Sequence, residues 1–438
     1  MRFKTTTLAA VGAAIALTAP LAGKLQAAEQ FIPMLVYRTG PYAPSGTPVA
    51  NGFRDYYTLL NKRDGGINGV KAVFEECETQ YKTNLGVECY EKLKNKGSTG
   101  ASLFNPYSTG ITYQLIPKAP VDKTPIHSMG YGRTAAGDGR IFKWVFTAPT
   151  SYWSQASAFI KYVAAQEGGY AKLKGKKITH VHHNSAYGKE ANPTLEVLAK
   201  KYGFKLKLLA VDHPGQEQKS TWLQVRRHKP DWIFMSGWGV MNSVAIKEAA
   251  AIRFPMDRFV GNWWSGTESD VIPAGGGAKG YKSTTFHGAG PNYAVHKDIL
   301  KHLYGGDKAK AKDNKFGEVL YNRGIINAVY TTEAIRTAMK KFGNKPMTGE
   351  QVRWGLENLN LTAERLTQLG LKDFAQPHRI TCEDHEGNGP VIIQQWNGKK
   401  WSMVSKWISP MRDVVRPLIE KAAADYAKEN KITPRKCS

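Results

Sequence analysis

The sequence has no Cys-x-x-Cys pair, no Gly-x-Ser-x-Gly elbow and no phosphate-loop lysine motif. The first absence argues against a zinc ribbon, a thioredoxin-type site and haem attachment. The second argues against a serine hydrolase, and the third against a nucleotide-phosphate cradle. The lone glycine run Gly275-Gly276-Gly277 reads as a flexible loop. Beyond the N-terminal segment, no stretch is long and apolar enough to span a bilayer. Acids are scarce, with 36 Asp and Glu against 61 Lys and Arg, a formal net charge of +25.

What is there is ordinary globular material: 42% hydrophobic and 22% charged residues over 438 positions, too long for one core. Two domains are therefore expected. The first residues, MRFKTTTLAAVGAAIALTAPLAGKLQAAEQF, place Arg2 and Lys4 before an alanine-rich apolar core, Thr7 to Ala19. Small residues at Leu25-Gln26-Ala27-Ala28 follow. This is the pattern of a cleavable secretory signal, with the mature chain exported to a periplasm. The competing reading, a retained anchor, is weakened by the short run and by Pro20. The signal carries Arg2, Lys4 and Lys24 and no acid, so removing these three charges from +25 leaves +22. A basic surface draws in anions by long-range steering. An exported protein seldom meets nucleic acid, and the lysines are spread out, with one dense run at Lys308 to Lys312, so nucleic acid is not expected as a partner.

Cysteines number four: Cys77, Cys89, Cys382 and Cys437. In an oxidising compartment an even count suggests disulfides. Cys77 and Cys89 are near in sequence, which leaves Cys382 with Cys437 as the remaining option. His180-Val181-His182-His183 could be read as metal ligands, but no acid or cysteine stands near them. His378, Cys382 and His385 could be read so only if Cys382 is unbridged. No metal, no cofactor and no catalytic residues are expected.

Along the chain, strand and helix patterns alternate. Strands are expected at Phe31–Tyr37, Val70–Cys77, Ala101–Phe104, Ile126–Met129, Lys177–His183, Leu206–Val211, Trp232–Ser236 and Arg258–Val260. Helices are expected at Gly52–Arg63, Leu85–Asn95, Tyr152–Glu167, Asn192–Tyr202, Thr221–Arg227, Met241–Arg253, Asn322–Phe342, Thr348–Leu359, Ala363–Leu369 and Met411–Lys428. Gly65-Gly66 ends the first helix. Residues 390–401 read as a hairpin turning at Asn397-Gly398 with type I′ geometry. The alternation predicts parallel sheets covered by helices, with ligands bound at the carboxyl ends of the strands. The loops there hold Arg38, Tyr42, Tyr107, Arg133, Tyr187, Trp238 and the stretch Gly261-Asn262-Trp263-Trp264-Ser265-Gly266. They carry aromatics, small hydroxyls and two arginines, and almost no carboxylates. Such a lining suits a flat or apolar anion rather than acid–base chemistry.

Several marks stand in order. They are Thr39-Gly40-Pro41 after the first strand, Gly65-Gly66-Ile67-Asn68-Gly69, Tyr187-Gly188, Lys229-Pro230-Asp231, His385-Glu386-Gly387 and Asn397-Gly398-Lys399. With them the chain resembles the periplasmic solute-binding proteins of ABC importers, of the branched-chain amino acid (leucine-binding protein) type, over about Phe31 to Trp407. The resemblance implies an α/β fold of two doubly wound parallel-sheet lobes joined by a three-strand hinge, the type I periplasmic binding fold. The expected division is a signal peptide at 1–28, lobe 1 at 29–147 plus 287–380, lobe 2 at 148–286 plus 381–408, and a C-terminal helical extension at 409–438. Expected partners are a small-molecule ligand, an inner-membrane ABC permease and its ATPase. A monomer is expected.

Carried over by motif, first-lobe contacts fall on Ser108, Thr109, Gly132, Arg133 and Thr134, and second-lobe contacts on Tyr187, Trp238 and Trp263. The sequence departs from the family where amino-acid receptors place an acid for the ligand ammonium: here Trp263 stands, or Trp264 if the register shifts by one. An indole offers one N–H and a π face, but no anion. The expectation is a small hydrophobic or aromatic carboxylate without an amino group, with Arg38 and Arg133 at the mouth and Tyr42, Tyr107, Trp153 and Trp238 as further lining. Rival readings remain. The two tryptophans could merely pack the lobe interface, the arginines could be surface residues, and Ser108 and Thr109 could only cap a helix. The protein could be an ordinary amino-acid receptor, or a ligand sensor for a chemoreceptor or kinase. An enzyme is the least supported class.

Overall fold

The computed structural model describes residues 1, 3 and 28–437. All but Met1, Phe3 and Ala28 of the expected signal lie outside the described residues. No helix among those described is long and apolar enough to cross a membrane.

Two sheets organise the chain. The first begins with β1 (Glu29–Val36) and β2 (Lys71–Glu78), paired in parallel. It continues through backbone bonds from Ser102 to Phe31 and from His127 to Phe104 into β3 (Ile126–His127) and β4 (Val145–Phe146). The segment Ala101–Phe104, expected as a strand, contributes a single bridge at Phe104. The second sheet collects β5 (Lys177–His183), β6 (Lys205–Val211), β7 (Trp232–Ser236), β8 (Phe259–Gly261) and β9 (Lys282–Thr285). After the short antiparallel pair β10 (Asn360–Leu361) and β11 (His378–Arg379), the chain returns to it with β12 (Ile392–Trp396) and β13 (Trp401–Met403). The order is β13-β12-β9-β8-β7-β5-β6, parallel from β9 to β6 and antiparallel at β12 and β13. The strand β7, Trp-Ile-Phe-Met-Ser, is buried throughout, as a parallel strand covered on both faces must be.

Two departures from the expected elements have clear causes. The first helix runs over Ala43–Asp64, nine residues earlier than its apolar stripe suggests. Its earlier glycines are set by close packing, Gly46 against Tyr37 and Gly52 against the helix Val319–Phe342. A β-carbon at Gly52 would collide with the Tyr321 carbonyl, and one at Gly324 with the Val49 carbonyl. The C-terminal hairpin pairs Trp396 with Trp401, leaving a four-residue loop rather than the expected two-residue type I′ turn. The Asn397 side chain accepts from the Lys399 and Lys400 N–H groups, so asparagine closes the turn with its carboxamide and Gly398 takes the positive φ of 98°. Two disulfides, Cys77–Cys89 and Cys382–Cys437, tie β2 to the helix Thr83–Leu93 and the chain end to residue 382.

Candidate ligand cleft

The tryptophan loop follows β8, and it meets the loop that follows β3. Both indole N–H groups, of Trp263 and Trp264, donate to one acceptor, the Gly130 carbonyl, at 2.8 and 2.5 Å. The Trp264 N–H is also 3.0 Å from the Tyr152 hydroxyl. Trp263 stacks on Tyr152 (5.1 Å, 18°) and Trp264 on Tyr131 (4.4 Å, 29°). Trp238, from the loop after β7, meets Trp264 edge-on at 5.1 Å. Tyr37, Tyr81 and Tyr107 complete the group through contacts to Trp238 and Tyr131. The two rings therefore point to one place because they leave a strand end in a turn, where the alternation of a strand no longer applies.

The positions around them are held by a polar frame. The Tyr187 hydroxyl donates to the Gly237 carbonyl at 2.8 Å and accepts from the Asn262 carboxamide. The Ser265 hydroxyl bridges Gly237, accepting from its N–H and donating to its carbonyl. Burial raises the hydroxyl pKa of Tyr131, Tyr152 and Tyr187 well above that of a free tyrosine, so these phenols are neutral donors.

Three donors in this interior have no partner: the Trp238 indole N–H, the Tyr107 hydroxyl and the Arg323 Nη1. No carboxylate answers them. The buried acids are committed elsewhere: Asp55 to the Tyr321 and Tyr304 hydroxyls, Asp138 to Arg140, Glu333 to Arg336 and Arg365, Glu386 to Arg412 and the Ser151 N–H, and Asp270 to the Thr267 N–H.

The expected site residues divide into two groups. Tyr107, Tyr187, Trp238, Trp263 and Trp264 lie in the aromatic interior. Gly132, Arg133, Thr134 and Trp153 gather instead around Glu190, beside an open recess of about 400 Å³. Glu190 accepts from the Thr134 hydroxyl at 2.7 Å and from the Tyr113 hydroxyl, while its backbone carbonyl accepts from the Trp153 indole at 2.7 Å. Burial raises the Glu190 carboxyl pKa, against the lowering effect of the Tyr113 and Thr134 bonds. The Arg133 guanidinium turns outward and lies 4.5 Å from the Tyr426 ring centre. Thr109 links the two groups, accepting from the Gly132 N–H at 3.0 Å, and Ser108 caps the helix Thr109–Leu115 by accepting from the Ile111 N–H.

Arg38 is not brought to the aromatic interior with a free charge. Its guanidinium is fixed on Glu76, at 2.7 and 2.6 Å, and on Asn51. Tyr42 instead joins two imidazoles, with its hydroxyl 3.1 Å from His183 Nε2 and 2.5 Å from His213 Nδ1. Of the other two histidines of the strand pattern, His180 is satisfied by Asn192 and Ser236 and His182 by the His183 carbonyl, and no metal-binding group of three or more His, Cys, Asp or Glu occurs among the described residues.

Arg323 was not among the residues expected at the site. The sequence carried only a weak signal for it: an arginine in the helix Val319–Phe342, in line with Leu320 and Ile326 but also with Asn327.

The comparisons with known proteins agree with this architecture. No curated protein matches the sequence. A profile described as periplasmic binding protein matches residues 29–400. The chain superposes on a structure from the Pseudomonas fluorescens group, described as an ABC transporter permease, with a TM-score of 0.87 and 43% identity over 94% of this chain and 99% of that one. It also superposes on a branched-chain amino acid ABC transporter from Thermus thermophilus with bound valine (TM-score 0.73, 20% identity, 89% and 99% covered). A third is a solute-binding protein of an ABC transporter from R. palustris in complex with benzoate (TM-score 0.66, 16% identity, 87% and 97% covered). The chain belongs to the periplasmic binding protein family, and its type I fold is that of the ABC transporter proteins it superposes on.

Proposed function

We propose that this protein captures a small hydrophobic or aromatic carboxylate that lacks an amino group, and delivers it to an inner-membrane permease driven by an ATPase. The carrying observation is the aromatic interior itself, which has unmet donors at Trp238 and Tyr107 and no acidic side chain. An α-ammonium buried there would have no anion, and an unpaired buried charge is very costly. Indole faces would recover only part of that cost. A carboxylate supplies the acceptors the interior lacks. The benzoate-bound relative is a precedent for such a ligand on this fold, and the valine-bound relative for the alternative, an amino-acid receptor.

The lobes are taken as 29–147 plus 287–380 and 148–286 plus 381–408, with 409–438 as an extension. This division keeps β1–β4 in one lobe and the whole seven-stranded sheet in the other. The ligand then binds in the cleft, and closure adds the tryptophan loop, a contact only the closed state makes. The chain acts as a periplasmic monomer and performs no chemistry.

Calorimetric titration of refolded, ligand-free protein tests the ligand class. Leucine is set against 4-methylpentanoate, and phenylalanine against 3-phenylpropanoate. The amine-free acids should bind at least about 30-fold tighter than their amino counterparts. Tighter binding of the amino acids would overturn the reading.

A further inference from the structure

Among the described residues two cations are buried, Lys282 and Arg323. Lys282 gives its ammonium to the Asp257 carbonyl at 2.7 Å. Arg323 is fully buried and enters no ion pair. Its guanidinium carbon lies 4.1 Å from the Phe286 ring centre and 4.7 Å from that of Trp264. Its Nε donates to His287 Nε2 at 2.8 Å, Nη2 reaches the Thr285 hydroxyl at 3.4 Å, and Nη1 has nothing.

The histidine contact shows that this guanidinium is aimed rather than merely accommodated. Arginine is only a donor, so His287 Nε2 must accept and carry no proton. The remaining ring proton is on Nδ1, which donates to the Gly288 carbonyl at 2.9 Å. Burial, then the Arg323 charge, hold the His287 pKa well below its ordinary value, so the acceptor form persists. One edge of the guanidinium is thus pinned to a neutral imidazole, while the Nη1 edge is left open. A side chain needed only to fill this space would be apolar, because a buried cation without an anion costs far more than a methionine of similar volume.

We infer that Arg323 is the anion anchor of the cleft, taking the carboxylate of the ligand on its open Nη1 edge, with His287 as the residue that orients it. This rests on the carboxylate reading of the preceding subsection, and it places the charge-recognising group on the helix Val319–Phe342 rather than at Arg38 or Arg133. Trp264 then has two duties. One ring carries the guanidinium and also meets Trp238, the indole with an unmet N–H. The ligand class follows: one carboxylate on a flat or branched apolar body, with no second charge.

The test uses matched acids and neutral amides: benzoate with benzamide, 3-phenylpropanoate with 3-phenylpropanamide, and 4-methylpentanoate with 4-methylpentanamide. These are titrated into the full chain and its Arg323→Met variant. Arg323→Met should weaken the bound acid by about 100-fold and leave its amide within about threefold, as expected for removal of one partner of a desolvated charge pair. Equal loss for acid and amide, or no loss for the acid, overturns the anchor. Should Arg323→Met not fold, Arg323→Lys carries the test. It keeps the charge but not the planar fork, so the acid should lose about tenfold and the amide little; equal losses again overturn the proposal. Failure of the underlying reading looks different. The wild type would then bind leucine and not 4-methylpentanoate, and the anchor would stand or fall on whether Arg323→Met separates leucine from leucinamide.

Discussion

The Gly130 carbonyl accepts two indole N–H groups, but the two tryptophans do not depend on it equally. Trp263 has that one bond and its stack on Tyr152. Trp264 shares its single N–H between that carbonyl and the Tyr152 hydroxyl, and has the Tyr131 stack and the Arg323 guanidinium at its ring besides. A neutral hydrogen bond contributes about 1 kcal/mol net. Trp264→Phe removes one N–H that serves two acceptors and weakens the guanidinium–ring contact, so it should weaken ligand affinity about tenfold, while Trp263→Phe removes a single bond and should cost about threefold to fivefold. Calorimetry on the two variants decides the matter. Equal losses would mean that the shared carbonyl carries the whole effect and that the Tyr152 contact is idle. At this scale the sequence was partly legible. Two adjacent tryptophans in a glycine-flanked loop marked the place where the aromatic side chains gather, and Tyr107, Tyr187 and Trp238 lie in the same interior. The charges were not legible. Arg38 and Arg133 stand in strand-end loops where an anion site belongs, yet one is occupied by Glu76 and the other lies on Tyr426. Arg323 sits in a helix interior, and only the third dimension shows that no acid reaches it.

Among the elements, the C-terminal helix Arg412–Glu429 does more than close the chain. Arg412 pairs with Asp384 (2.6 Å) and with buried Glu386 (3.0 Å), and Tyr426 stacks on Phe142 at 4.7 Å. Val415 and Ile419 cover Trp153. The helix thus touches the segment 133–142 and the helix Tyr152–Glu167, on the two sides of the proposed lobe boundary. The Cys382–Cys437 disulfide closes a loop with a sequence separation of 55 around it. In the loop-entropy account a closure of that length is worth about 4 kcal/mol, an upper figure because the native state relaxes. The Cys382→Ser, Cys437→Ser double variant should therefore lose about 2–4 kcal/mol in urea unfolding while ligand affinity stays within about twofold. A large loss of affinity at unchanged stability would instead make this helix part of the closing mechanism. Helices and buried strands were the most legible elements: Tyr152–Glu167, Lys177–His183, Asn192–Tyr202 and Trp232–Ser236 have the boundaries their patterns predict. The strand Lys282–Thr285 was missed, because Lys-Ser-Thr-Thr has no apolar signature. It is a buried strand whose polar side chains bond inward, with the Ser283 hydroxyl accepting from the Gln394 carboxamide.

For the whole molecule, pH acts through buried groups more than through the net charge of +25. Seven buried histidines have folded pKa values below the ordinary 6.5: His127, His183, His296 and His378 at about 4, His180 at about 3, His287 well below and His182 lowered, each chiefly through burial. A depressed histidine contributes stability above its unfolded pKa, and that stability is lost as pH falls toward the folded value. Buried carboxyls act with the opposite sign. Burial lifts Glu268 to about 7 and Asp270 to about 8, and raises Glu190 and Glu386. Their contribution is present below the unfolded pKa of 3.8 to 4.5 and is lost as pH rises through the folded values. Between about pH 4.5 and 6.5 the two sets oppose, and the histidines are the more numerous. The net slope over this window favours higher pH. Below about pH 4.5 these carboxyls are protonated in both states, and the carboxyls lowered by the fold, Glu357 at about 2 with Glu167 and Glu333, lose their contribution together with the histidines, so the acid limb steepens. Above about pH 6.5 only the carboxyls still titrate, and stability falls again toward pH 8. Thermal melts from pH 4 to 9 should trace a dome with its maximum near pH 6.5 and the steeper side in acid. Asp270→Asn removes the largest carboxyl shift, so it should flatten the alkaline side and leave the acid side in place. A profile that stays level from pH 4 to 7, or an alkaline side unmoved by Asp270→Asn, would mean that these buried groups are not held neutral by the fold.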